Sequence, residues 1–180
     1  LCTDIRKKFK RIDIIIHCLG GGLGYIDPLI KFEEFKELYL LNIGIGAEIN
    51  RNLVPLMHKG GNILHVGSTA SVQAIGSVGY NTVKSGLRAY VKTLSAKLIK
   101  KNIIVNSILP GAFIAPGNSF DKMKKNDLEY FKNFEKNKIR LNKISTLRDL
   151  VPIIIFMTSK KSKMLAGSNV LADACETNAY

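Results

Sequence analysis

Short apolar runs alternate with longer stretches of helical periodicity along this 180-residue chain. Ile12 to Cys18 is apolar and β-branched, the pattern of a strand buried on both faces, and it ends in a Gly20-Gly21-Gly22 turn. From Phe32 to Met57 the spacing of Leu38, Leu41, Ile45 and Ile49 predicts one long helix, broken by Gly60-Gly61. Asn62 to Val66 reads as a second short strand and Ser68 to Gly79 as a loop of small residues. Tyr80 to Lys100 is a helix carrying Leu87, Tyr90, Val91, Leu94 and Leu98, and Ile103 to Leu109 is a third strand closed by Pro110-Gly111. Phe113 to Asn142 is polar and Lys-rich with scattered aromatics, a helical flap. Thr146 to Ser159 is a further helix in which Pro152 is tolerable only near the start or at a kink. Val170 to Ala172 is a last strand. Strands separated by helices of this length make an α/β fold, a parallel sheet covered on both faces. Ligands of such sheets sit beyond the carboxyl ends of the strands. The Gly20 turn, Ser68 and Pro110-Gly111 all follow such ends.

Tyr80 and Lys84 are the chemically telling pair. Four residues apart on a helix, they share one face, and an ammonium beside a phenol favours the phenolate. Bringing a phenol from about 10 to about 7 takes ~4 kcal/mol. A charge pair at about 4 Å supplies ~1 kcal/mol in water and ~4 at an effective dielectric of 20. The pair therefore does chemistry only in a partly dewatered cleft, preferably with more positive charge nearby. On a solvated amphipathic helix the same two residues are merely neighbours.

Composition narrows the classes. With 46% hydrophobic residues the chain can build one real core. No apolar run has the length of a membrane span and nothing at the amino end reads as a signal peptide. Three cysteines, far apart and without CxxC spacing, indicate neither a disulfide framework nor a zinc site and suit a reducing cytoplasm. The net charge of +13 is mostly Lys, spread widely and without interleaved aromatics. It reads as a general Lys bias rather than a nucleic-acid surface. The first residue is Leu, and the chain opens in what reads as the tail of a helix, so an incomplete protein is expected.

The order of six further pieces carries a resemblance. A strand ends in Cys18-Leu19-Gly20. Asn42 follows in Leu41-Asn42-Ile43-Gly44, then Pro55-Leu56-Met57. Next come Gly61 to Ser68, Tyr80-Asn81-Thr82-Val83-Lys84, and Ile104-Val105-Asn106-Ser107-Ile108-Leu109-Pro110-Gly111. The chain resembles the short-chain dehydrogenase/reductase family in its short, non-extended branch, from the family's fourth strand to its carboxyl end. The resemblance implies a Rossmann-like doubly wound parallel sheet, here its carboxyl-terminal portion. Residues 1–180 would form a single partial domain, with 113–145 as substrate flap. It implies an NAD- or NADP-dependent oxidoreductase interconverting a carbonyl and a secondary alcohol. Tyr80 would be the general acid/base. Lys84 would lower its pKa and bind the nicotinamide ribose, the oxidised nicotinamide adding further positive charge. Ser68 would hold the substrate oxygen and Asn42 a proton-relaying water. Gly20, Tyr80, Lys84, Pro110, Gly111 and Phe113 would contact the cofactor, and no metal is called for. Three residues between Tyr80 and Lys84 argue against the enoyl-reductase branch, where the spacing is wider.

Alternatives stay open at several positions. Asn42 could bond locally inside its helix, and Ser68 has rivals in Thr69 and Ser71. The separation of Ser68 from Tyr80 is one residue short of the commonest spacing. His17 and His65, on or beside strands, read as core or cleft wall. The family's Asn-Asn-Ala-Gly becomes His17-Cys18-Leu19-Gly20, its carboxamide-contacting Thr becomes Ala115, and its terminal Asp-Gly-Gly becomes Asp173-Ala174-Cys175. The phosphate-binding Gly-rich turn and first two βαβ units lie outside this stretch. A small carbonyl or alcohol substrate is expected, possibly anionic given Lys122, Lys124, Lys125, Lys132, Lys136 and Lys138. Helices 32–57 and 80–100, apolar on more than one face, suit a homodimer or homotetramer. The competing class is a non-catalytic or truncated module that keeps the fold for binding or assembly.

Overall fold

The computed structural model describes residues 1–179. Four parallel strands form the main sheet: β1 (Ile12–His17), β2 (Met57–Val66), β3 (Ile104–Pro110) and β6 (Asn169–Ala172), in the spatial order β1-β2-β3-β6. A parallel pair of two-residue strands, β4 (Phe113–Ile114) and β5 (Ser145–Thr146), closes the base of the flap. The helices are α1 (Cys2–Lys8), α2 (Phe32–Tyr39), α3 (Ile45–Leu53), α4 (Val78–Leu98), α5 (Ser119–Asn126), α6 (Leu128–Lys138) and α7 (Leu147–Met157).

Alternation along the strands splits the core in two, as expected of a doubly wound sheet. Ile15, Ile63 and Val105 pack with Leu38, Leu53, Val83, Leu87 and Val91 of α2, α3 and α4. Leu64 and Ile108 point the other way, onto Leu150 and Met157 of α7. The flap has a small core of its own, Ala112, Phe131, Ile139 and Ile144. No helix of the described residues is long and apolar enough to cross a membrane.

Three local readings are corrected by the structure. In this stretch of chain β1 is not buried on both faces: it is an edge strand, and Ile14 and Ile16 are half exposed on a face that α7 covers over β2 and β3 but not over β1. The helix expected over 32–57 is interrupted by a π-helical turn at Leu40–Gly44 and ends in a 3-10 turn at Val54–Leu56. β2 begins at Met57, five residues earlier than expected. Gly60-Gly61 therefore lies inside a strand, where the pairing shifts between Ile12–Met57 and Ile14–Asn62. Gly60 has φ +87°, a conformation glycine adopts freely, so the pair makes a bulge rather than a helix stop. Pro152 stands inside α7, whose start is fixed by a capping box between Thr146 and Asp149.

Candidate active site

The carboxyl ends of β1, β2 and β3 open on a cleft of about 690 Å³. One side is the loop Cys18 to Gly24, another Val66-Gly67, and the flap closes it with Phe113, Gly117, Asn118, Ser119 and Lys122. Tyr80 and Lys84 line it together. Their placement follows from local chemistry. The Ser77 hydroxyl caps α4 by accepting from the Tyr80 N–H at 3.5 Å, which puts Tyr80 in the first turn and Lys84 in the next. Val83, Leu87 and Val91 bury the neighbouring stripe of α4 on the sheet.

Lys84 is only 3% exposed, and burial lowers its pKa to about 8. Its Nζ donates to the Val66 carbonyl at 3.5 Å and lies 5.6 Å from the Tyr80 ring centroid. A Cβ on Gly20 would come 2.6 Å from that Nζ and 2.9 Å from Asn42 Oδ1. Gly20, at φ +155°, is what lets the loop close over both groups.

Ser68 follows β2 directly. Its hydroxyl caps the short turn Thr69–Ser71 by accepting from Ala70 N–H at 3.1 Å, and it also reaches the Tyr80 phenol. Ser71 is otherwise committed: its hydroxyl donates to the Ser68 carbonyl, and its own carbonyl accepts from Ser85 and Arg88. Thr69 is buried. Burial pushes the Tyr80 phenol above its ordinary value, and the Ser68 hydrogen bond opposes the rise. Burial is the larger effect, as expected where the ammonium stands without further positive charge. A phenolate near neutral pH needs positive charge beyond this ammonium.

Asn42 sits in the π turn, where the Ile45 N–H reaches back to the Leu40 carbonyl. Such widened turns often mark functional sites. Its Nδ2 donates to the carbonyls of Gly21 at 3.0 Å and Leu38 at 2.9 Å, and its Oδ1 accepts from Gly21 N–H at 3.1 Å. Asn42 therefore bonds locally and also clamps the loop over Lys84. Pro110 and Gly111 are not among the lining residues. Pro110 ends β3 and Gly111 donates to the Ala172 carbonyl at 3.2 Å, so they aim the flap rather than form the wall.

Behind Lys84 lies a buried polar cluster. His17 and His65, opposite each other in the β1–β2 register, stack with ring centroids 4.3 Å apart. His17 Nε2 pairs with Asn50 Oδ1 at 2.8 Å, while Asn50 Nδ2 faces His65 Nε2 at 3.4 Å and donates to the Tyr90 hydroxyl at 3.0 Å. Burial, then His17, then Lys84 lower the His65 pKa to about 3; burial lowers His17 as well. His65 stays neutral in the fold but takes a proton below about 6.5 when unfolded. Stability should therefore fall as pH drops from about 6.5 towards 3, by on the order of 5 kcal/mol over the whole range. Urea unfolding at pH 7, 6 and 5 should show this slope, and His65→Leu should flatten it. An unchanged slope in that variant would remove His65 from the account.

A sequence model of the family described as Enoyl-(Acyl carrier protein) reductase matches residues 1–175. The chain belongs to the short-chain dehydrogenase/reductase family. It is 26% identical over 184 residues to the 7alpha-hydroxysteroid dehydrogenase of Bacteroides fragilis, covering 96% of this chain and 67% of that protein. It is 26% identical over 168 residues to the 3-oxoacyl-acyl-carrier-protein reductase of Buchnera aphidicola subsp. Baizongia pistaciae, covering 91% of this chain and 65% of the relative. The chain thus spans about two thirds of the length of these curated relatives. Its fold is similar to that of the L-sorbose reductase from Gluconobacter frateurii, solved with NADPH and L-sorbose. That likeness has a TM-score of 0.89 and 24% identity, and it covers 99% of this chain and 72% of the other. The Rossmann-like reading of the sheet agrees with this short-chain dehydrogenase/reductase architecture.

Of the residues lining this cleft the sequence reading named Gly20, Tyr80, Lys84, Phe113 and Lys122, but not Gly117, Asn118 and Ser119 of the flap. Ala115 is not among the lining residues, whereas Ser119 and Lys122 are. Only a helix start at Asn118 could have signalled Asn118 and Ser119, since the Asn118 side chain accepts from Asp121 N–H as an N-cap does.

Proposed function

We propose that this protein is an NAD- or NADP-dependent oxidoreductase that interconverts a carbonyl and a secondary alcohol, with Tyr80 as general acid/base. The observation that carries the reading is the convergence of a phenol, a hydroxyl and a buried ammonium at the strand ends, beneath a loop that only glycine can close. The surroundings suit a dinucleotide. Gly20, Gly21, Gly22 and Gly24 offer backbone without side chains, Phe113 an apolar wall, and Lys84 an ammonium with a single long hydrogen bond. Ser119 provides on the flap the hydroxyl that Ala115 lacks. The nicotinamide, when bound, supplies or accepts the hydride.

In reduction the Tyr80 hydroxyl gives its proton to the carbonyl oxygen, and the Ser68 hydroxyl donates a hydrogen bond to that same oxygen. In oxidation Tyr80 takes the proton of the alcohol. Lys84 provides the nearby positive charge. Asn42 holds the loop in place, and its remaining Oδ1 lone pair is where a proton-carrying water would be held. The substrate is a small carbonyl compound or alcohol. Of the flap lysines only Lys122 reaches this cleft, which limits the case for an anionic substrate. Three residues separate Tyr80 from Lys84, in favour of carbonyl rather than enoyl reduction. Half-exposed Tyr39 and Leu40 and the α3–α4 groove around Tyr90 support a homodimer or homotetramer. Residues 1–180 are read as one domain with 113–145 as flap, in a cytoplasmic protein.

The test is label transfer. The full-length protein, given NADH or NADPH carrying deuterium at C4 and a panel of ketones, should place deuterium on the carbinol carbon of the product alcohol. Product without deuterium, or no product across the panel with either cofactor, would defeat the reading.

A further inference from the structure

A second cavity, of about 520 Å³, lies on the other side of the flap base. It is within the size range of small-molecule sites. Its walls are Ile75, Ala112, Phe120, Phe134 and Ile139, and its polar groups are Gln73, Lys138, Glu176 and Thr177. It adjoins the candidate active site at three places. Ala112 and Ser119's neighbour Phe120 line the chamber, while Phe113 and Ser119 line the cleft. Ile75 lines the chamber, and a Cβ on the next residue, Gly76, would lie 3.0 Å from Tyr80 Cδ1. Gln73 ties the same loop down: its carbonyl accepts from Asn81 Nδ2 at 2.8 Å, and its Oε1 accepts from Asn178 N–H at 2.9 Å.

Glu176 is the polar centre of this chamber. Its carboxylate is half-buried and held in place by the Ala112 N–H, which donates to Oε2 at 2.8 Å and Oε1 at 3.1 Å. One backbone donor leaves lone pairs on both oxygens. Burial and the nearby Asp173 push the Glu176 pKa up, the signature of a carboxylate short of positive partners. Lys138 is exposed, where solvent screens its charge.

We propose that Glu176 is a specificity-determining residue: the chamber takes the apolar body of the substrate, and Glu176 selects a hydroxyl or ammonium on its far end against a carboxylate or phosphate. This rests on the carbonyl-reduction reading above and names its substrate class. An uncharged hydroxylated ketone or an amino ketone gives the carboxylate a donor. A carboxylate there would meet like charge with too little water to screen it.

The test uses three ketones of one shape: 4-hydroxycyclohexanone, 4-aminocyclohexanone and 4-oxocyclohexanecarboxylate. Dissociation constants are measured by ligand-observed NMR on the full-length protein. The hydroxyl and ammonium compounds should bind at least about tenfold more tightly than the carboxylate. Glu176→Gln keeps an acceptor for Ala112 N–H, so its melting temperature should hold. It should bring the ammonium and carboxylate compounds to within about threefold of each other. Carboxylate binding as tight as ammonium binding, or an order that Glu176→Gln leaves unchanged, would overturn the assignment. So would a carboxylate preference that Lys138→Ala removes. Because these readouts are of binding, the outcomes separate. The order without deuterium transfer would sink the reaction and keep the site, and transfer without the order would do the reverse.

Discussion

Tyr80→Phe is expected to lower kcat for ketone reduction by about 10²- to 10⁴-fold, the range general acid–base catalysis contributes. The substitution removes one oxygen and leaves the ring, so the ring's contacts beside Gly22 and Gly76 and its place 5.6 Å from the Lys84 ammonium survive. Melting temperature and ketone affinity should therefore change little. The pH profile of the unsubstituted protein supplies the companion result. Burial raises the phenol, so Tyr80 stays protonated through neutral pH and is ready as an acid. Reduction should be level on the acid side and decline above about pH 8, where Lys84 loses its proton. Oxidation, which needs the phenolate, should gain as pH rises. Equal kcat values for Tyr80→Phe and the unsubstituted protein would end the catalytic assignment. So would a reduction rate that climbs with pH.

Lys84→Met should separate activity from stability. An ammonium 3% exposed, with one hydrogen bond of 3.5 Å, is costly to bury. Its folded pKa of about 8 lies below the usual Lys value, so the fold disfavours the charged form. The cost is fully present below pH 8 and fades between about 8 and 10.5, where the unfolded chain also begins to lose its proton. Methionine keeps the stem and drops the charge. At pH 7 the variant should gain on the order of 1–3 kcal/mol of stability, and melt several degrees higher. By pH 10.5 the gain should have largely gone. Turnover should fall by about 10²-fold or more, because the proton-transfer site loses its fixed charge. Melting curves across pH 6–10.5 beside initial rates provide the check. A destabilised variant at pH 7 would mean that Lys84 has better partners than the Val66 carbonyl.

The sequence made the local parts of this site legible and left the non-local ones hidden. Tyr80 and Lys84 share a helix, so spacing put both on one cleft wall, and Ser68, next after a strand, comes to the Tyr80 phenol. Asn42 was placed by motif, but not the π turn that carries it or its grip on Gly21, 21 residues away. The long helix pattern over 32–57 was true of the apolar face and false of the backbone. Periodicity records which side is buried, not where an extra residue widens a turn. β1 was misjudged for a related reason. Its Ile residues satisfy the pattern of a strand covered on both faces, yet exposure depends on what packs on each face, and α7 covers Leu64 and Ile108 but not Ile14 and Ile16. His17, Asn50, His65 and Tyr90 have no motif in common. Asn50 is 33 residues from His17 and 40 from Tyr90, and only the β1–β2 register and the crossing of α3 and α4 unite them. Glu176 had no signal at all before the flap was folded against the carboxyl-terminal segment.

The contact from Asn178 to Gln73 closes across 105 residues of chain, and Arg140 grips Asn178 from the flap. Closing so long a loop is entropically slow, and it is rewarded only after the sheet and helices between its ends have formed. The docking of Asn178 on Gln73, rather than the Gly76 loop that Asn81 holds locally, should thus be among the last steps. During refolding, helical and sheet signals should recover before the carboxyl-terminal segment closes the Glu176 chamber. The interval between them is time in which the protein has its architecture and not yet its second chamber.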